Sequence, residues 1–310
     1  MAIPTDTPRV RVTVPRDDTA GEVVRAYVAR TVDKLVASDA GLRAGEVDAI
    51  HDARVATRRL RTALSVYGSV VDRTITDPVR DRLADLGHLL GAARDPQVEL
   101  HALRHRLRAE PIELILGPVA LRIDEDRSAG LRIGVDRLLD WLSSTAWADL
   151  VHDLDRLADR LPPGPDAGEP AADVLPRSAR RAWRRLDRST ARIGRTEPGD
   201  ERDEALHEAR KAARRARYAS EVAIGTVGRR AARSARRGRA VQDALGRQHD
   251  TVVRRETLRR LAIQAQLDGE DAFSYGRLHA LEQGAGEAAE RSAQPLLERA
   301  TSKRHRRWTH

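Results

Sequence analysis

Cysteine is absent from the 310 residues, which excludes disulfides, thiolate zinc sites and a thiol nucleophile. Aromatic residues are scarce at 3%, and no long run of alternating β-branched residues marks a sheet. Long apolar runs are missing as well: nowhere do about 18 apolar residues stand together, so no membrane-spanning helix is expected. The first twenty residues lack the charged segment and continuous apolar core of a secretory signal, and the expected compartment is the cytoplasm.

What remains is a mixture of Ala, Leu and Val with 33% charged residues, the composition of amphipathic helices. The expected fold class is all-α, and the length suggests two lobes, each with its own core. Formal net charge is +9, unevenly spread: residues 174–260 carry 25 basic and 11 acidic side chains, leaving the rest of the chain at −5. Such polarity points to a polyanionic partner.

Residues 1–18, with three prolines, read as an extended lead-in that includes a short strand at 9–14. Thr19 and Glu22 have capping-box spacing, so a helix is expected to about Ser38. A second runs from about Gly45 to Val71, and a third begins near Asp77 with Pro78 close to its first position. A fourth ends before Pro111. Gly117-Pro118, Gly130 and Gly134 are expected to interrupt the segments that follow, in which Trp141, Trp147, Leu150, Leu154 and Leu157 read as core. The prolines of 162–173 mark a linker between a first lobe at 19–161 and a second at 174–310.

In the second helix, His51, Arg54, Arg58 and Arg61 fall within an arc of roughly 80° at about 100° per residue. Ile50, Ala53, Ala56, Leu60, Ala63, Leu64 and Tyr67 gather on the other side, so the helix can bury an apolar face while presenting a cationic stripe. The pattern recurs 156 residues later. His51, Arg54, Arg58, Arg59 and Arg61 map onto His207, Arg210, Arg214, Arg215 and Arg217. A second landmark recurs at a spacing of 155: Leu90-Gly91 followed by Arg94-Asp95, and Leu245-Gly246 followed by His249-Asp250. Helix three is thereby matched by Arg229 to Gly246 and helix four by Thr251 to about Leu267.

Arginine is common enough that chance must be weighed. With 56 basic residues in 310, three prescribed positions are all basic with probability roughly 0.006, so ten histidines yield about 0.06 chance matches to H-x-x-R-x-x-x-R-x-x-R. Two are present, which implies an internal duplication. The bland alternative, a solvated face laced with ion pairs, lacks partners: Asp52 and Glu208 are too few to neutralise the stripes. Arg94-Asp95 and His249-Asp250 read as helix-start chemistry rather than catalytic pairs.

The duplicated His-x-x-Arg helices, each followed by a Leu-Gly-x-x-Arg/His-Asp turn, resemble the CHAD domain, the conserved histidine α-helical domain, over about residues 19–300. The resemblance implies two four-helix-bundle lobes related by a pseudo-two-fold axis, with a basic surface or channel that binds inorganic polyphosphate. Some relatives follow a triphosphate-hydrolysing barrel for which this chain has no room, so any catalytic partner is expected to be separate. The copies depart from one another where Ala216 stands for Leu60 and Lys211 for Val55, so the two binding surfaces need not contribute equally.

The candidate polyphosphate-binding set is His51, Arg54, Arg58, Arg59, Arg61, His207, Arg210, Lys211, Arg214, Arg215 and Arg217. Arg25, Lys34 and Arg181 on the first helices of the two copies, and Arg82 and Arg237 on the third, complete it. Arginine suits phosphate through its planar fork and persistent charge, and rows mounted on packed helices need little ordering. No metal or other cofactor is expected, although His51 and His207 could approach across a two-fold axis; the cations around them oppose metal binding. No nucleophile-base pair or glycine-rich phosphate loop recurs, so a non-catalytic binder is expected. The alternatives are binding to a nucleic-acid backbone and docking on an acidic protein. Within the cytoplasm, association with polyphosphate granules is the expectation.

Overall fold

A computed structural model describes residues 18–309; the strand expected at 9–14 lies outside them. Twelve α-helices are assigned: α1 (Ala20–Ala37), α2 (Asp39–Arg43), α3 (Val47–Val66), α4 (Arg73–Ala92), α5 (Asp95–Arg108), α6 (Val119–Ser143), α7 (Thr145–Asp159), α8 (Ala171–Ile193), α9 (Asp200–Val222), α10 (Ile224–Val227), α11 (Arg229–Leu267) and α12 (Phe273–Thr301). Among the described residues there is no strand, only two isolated β-bridges, and the fold is all-α. No helix among them is long and apolar enough to cross a membrane.

Local chemistry sets the helix starts. In α1 the capping box forms in full: Glu22 N donates to Thr19 Oγ1 at 3.3 Å, and Thr19 N donates to the Glu22 carboxylate at 2.8 Å. Helix α4 begins earlier than expected because Asp72 accepts from Thr74 N at 2.9 Å and caps it, which leaves Pro78 inside the helix. Gly130 and Gly134 do not interrupt α6. A Cβ on Gly134 would lie 2.1 Å from the Ala92 carbonyl oxygen, so this glycine permits a close crossing over the end of α4.

The largest departure is α11. Two helices separated at His249-Asp250 were expected, but the chain is helical without a break for 39 residues. In the first half, Pro96 removes a donor at the start of α5 and the chain turns at Arg94. The second half has no proline near Asp250, and the helix continues. Asp95 therefore sits in a first helical turn as expected, whereas Asp250 sits mid-helix.

The proline-rich segment is an ordered strap, and it ends at Pro170, where α8 follows directly. Its carbonyls at Glu169 and Ala167 accept from Ala20 and Gly21 at 2.8 and 2.9 Å, satisfying donors that the start of α1 leaves unpaired. Further along it, Gly164 N donates to Val70 O and Asp166 N to Ser69 O, at 2.9 and 2.8 Å.

The apolar face read from the sequence is buried: Ile50, Ala53, Ala56, Leu60, Ala63 and Leu64 on α3, with Tyr67 just past its end; Ala182, Trp183, Leu186 and Ile193 of α8 are buried as well. Trp147, Leu150, Leu154 and Leu157 are core, and half-buried Trp141 packs against them. The cores do not divide one per lobe, however. A large core takes residues from both halves, and a smaller one joins Leu103 and Ile123 to Leu258 and Leu278. Buried Tyr67 ties the halves further, its hydroxyl donating to Ala219 O at 2.7 Å.

Candidate functional site

Where α3 and α9 pack together, both helices bury small residues: Ala53, Ala56 and Ala63 on one, Ala209, Ala212, Ala213 and Ala216 on the other. The cationic stripes then border a single groove. Arg58 and Arg61 come from α3, and Lys211, Arg214 and Arg215 from α9. Arg80 of α4 and Arg185 of α8 line it too, together with Thr62 and Ser65. The cavity is about 230 Å³, against the roughly 10–15 Å³ that one water requires. Among the described residues, seven cationic side chains line it and no carboxylate does.

Crowding of like charges shows in the arginines. Burial first, then the Arg58 and Arg210 charges, bring the Arg214 guanidinium down to about 10. Burial likewise lowers Arg58, with Arg54 and Arg210 adding to it; Arg58 Nε is enclosed without a hydrogen-bond partner. Arg61 and Arg215 are lowered too, by burial and by neighbouring arginines that include Arg80 in both cases. Arg215 donates to Ser65 O at 3.2 Å, which fixes its direction. At the lip, Glu208 pairs with Lys211 and stands 3.6 Å from Arg185.

A mixed cluster neighbours Arg58. Arg54 pairs with Asp95 through both guanidinium nitrogens. His207 meets His249, their Nδ1 atoms 3.2 Å apart and ring centroids 4.3 Å apart, so one ring donates and the other accepts. Burial and the Arg210 charge bring His249 down to about 4. His207 is lowered by burial, then by Lys211 and Arg210; His51 by burial, then by Arg94, Arg58 and Arg54. Among the described residues no group of three or more His, Asp or Glu is placed to hold a metal ion.

The CHAD domain family matches residues 26–259. The chain belongs to the CHAD family. The family is associated with inorganic polyphosphate. Two uncharacterized proteins from strains of Mycobacterium tuberculosis are 32% identical over 274 residues, 88% of this CHAD chain and 51% of theirs. The chain thus spans about half the length of the curated relatives it matches. Two solved structures share the fold. PptA from Streptomyces chartreusis is 22% identical with a TM-score of 0.74, over 91% of this chain and 100% of that one. The CHAD domain of the plant Ricinus communis is 21% identical with a TM-score of 0.64, over 93% and 95%.

Not every arginine singled out in the CHAD sequence reaches the groove. Arg58, Arg61, Lys211, Arg214 and Arg215 line it, and His51, Arg54, His207 and Arg210 belong to the neighbouring cluster. Arg59 and Arg217 are instead bound to Glu221 at 3.2 and 2.8 Å, beside the Tyr218 ring, and serve the packing of α3 on α9. Arg82 pairs with Asp153 of α7 on a different cleft. Arg25 donates to Ala158 O at 3.3 Å, and Lys34 is exposed on α1. Arg181 donates to Ser178 Oγ, and Arg237 has Arg233 and Arg236 for neighbours; neither lines the groove.

Sequence reasoning missed Arg80, Arg185 and His249 as groove and cluster residues. Arg80 lies outside the repeated motif and carried no signal. Arg185 of α8 also lies outside that motif, and His249 was assigned to a turn that does not form.

Proposed function

We propose that this CHAD chain binds inorganic polyphosphate in the groove between α3 and α9 and performs no chemistry on it. The observation that carries this reading is the lining: among the described residues it holds seven cations and no carboxylate, and Glu208 outside it pairs only with Lys211 and Arg185. Such a surface repels cations and offers a linear phosphate chain a dense set of donors. Arginine forks on packed helices are already ordered, so little of the interaction energy is spent on immobilising them. The enclosed Arg58 Nε is a donor awaiting an acceptor. Thr62 and Ser65 have hydroxyls, but among the described residues no lining residue is a carboxylate or imidazole that would serve them as base.

The competing partner is a nucleic acid, which offers phosphates together with bases. Stacking of bases needs exposed aromatic rings, and Tyr67, Trp183 and Tyr218 on the helices flanking the groove are all buried. That favours a polymer with no bases. On this reading the protein works in the cytoplasm, beside polyphosphate granules.

The test is a titration with long-chain polyphosphate in the presence of duplex DNA. Polyphosphate should bind, lose affinity steeply with added salt, and resist displacement by excess DNA phosphate. Replacing Arg58 and Arg214 by glutamine should remove most of the affinity. Displacement of polyphosphate by an equal concentration of DNA phosphate would overturn the reading.

A further inference from the structure

Arg185 lines the groove and is also one member of a longer row. Arg181, Arg185, Arg188 and Arg192 are spaced i, i+4, i+7 and i+11 along α8, which puts them within an arc of roughly 60° and along roughly 16 Å of helix. All four are exposed. Among the described residues, no ion pair holds Arg181, Arg188 or Arg192. The one carboxylate on this part of α8, Asp187, is engaged at 3.0 Å by Arg306. The opposite face of the helix is fixed in the core through Val174, Ala179, Trp183 and Leu186, so the row cannot turn away. Like charges at i,i+4 spacing repel, and an uncompensated row destabilises its own helix unless an anion lies along it.

Building on the polyphosphate reading, we infer that the α8 row is a second binding track, continuous with the groove through Arg185, which engages only chains long enough to leave the groove. Short chains satisfy the groove alone. A longer chain passes over Arg185 and lies along Arg188, Arg192 and Arg181, adding exposed charge contacts that are cheap to make and readily screened by salt. The enclosed groove supplies the grip, and the exposed track makes affinity depend on length.

The test compares the parent with the triple variant Arg181→Gln, Arg188→Gln, Arg192→Gln, using tripolyphosphate and long-chain polyphosphate as probes over a range of salt. Glutamine keeps helix propensity, and circular dichroism checks that the fold is intact. For long chains, the slope of log affinity against log salt should become shallower by roughly 2, by analogy with single-stranded nucleic acid, and affinity at low salt should fall at least tenfold. Tripolyphosphate binding should be unchanged. An unaltered long-chain slope would overturn the track, as would an equal loss for both probes, since the row would then act on the groove itself. Failure of the parent to bind either probe would instead remove the polyphosphate reading and the track with it.

Discussion

Replacing Arg214 by methionine should stabilise the unliganded protein and cripple its binding. Arg214 lines the groove, where burial and the Arg58 and Arg210 charges bring it down to about 10. A base with a depressed folded-state pKa binds its proton less tightly in the folded than in the unfolded chain. The cost is therefore present at every pH below the folded value and disappears only as pH rises through it toward the ordinary arginine value. At neutral pH the cost is felt in full. At about 1.4 kcal/mol per pKa unit it amounts to roughly 3 kcal/mol, and solvent at the half-buried head reduces the usable part to about 2 kcal/mol. Methionine keeps the apolar stem and removes the charge. For a chain of this size about 2 kcal/mol corresponds to a rise in Tm of roughly 3 °C. Scanning calorimetry without ligand reads that directly. Adding long-chain polyphosphate at 100 times its Kd should then stabilise the parent by about 2.7 kcal/mol and the variant much less. A methionine variant that melts at or below the parent would refute the argument that the groove stores repulsion for an anion to relieve.

Protonation should act in opposite directions on stability and on binding. His51, His207 and His249 are all held low, His249 at about 4, so the unfolded chain takes up protons first and the unliganded protein should lose stability as pH falls from about 6.5 toward 4. A bound polyanion raises these values, so calorimetric titration should find tighter binding at pH 5.5 than at pH 8, and a His207→Gln, His249→Gln variant should flatten that difference. Gly134→Ala should destabilise by about 1–3 kcal/mol because its Cβ meets the Ala92 carbonyl, whereas Gly130→Ala, 3.6 Å from Pro96, should be neutral or gain up to about 1 kcal/mol in denaturant melts. Glu221→Ala strands Arg59 and Arg217 together and should cost about 3 kcal/mol in the same melts, on the scale of breaking a partly buried ion pair.

The features legible in the sequence are those that local chemistry decides. The Thr19 capping box needs only four residues, and the apolar face of α3 follows from helical periodicity, so both could be read directly. The stripes were legible for the same reason, though not their membership. Arg59 and Arg61 are two positions apart on one helix, yet one is bound to Glu221 at a sequence separation of 162 and the other faces the groove. No periodicity distinguishes them; the packing of α3 on α9 does. Arg80 entered the groove by tertiary placement alone. The unbroken α11 was misread because the break in the first half was credited to the shared Leu-Gly landmark, whereas Pro96, which has no counterpart, accounts for it.

Both cores draw on residues from either side of the proline-rich strap. Neither core is built from one side of the strap alone, so the two sides should unfold together, as one cooperative unit. Cleavage within the strap would leave two fragments that hold each other in shape and lose it when separated. Because the groove is assembled from both fragments, polyphosphate should bind only their complex, and the polymer would itself drive their complementation.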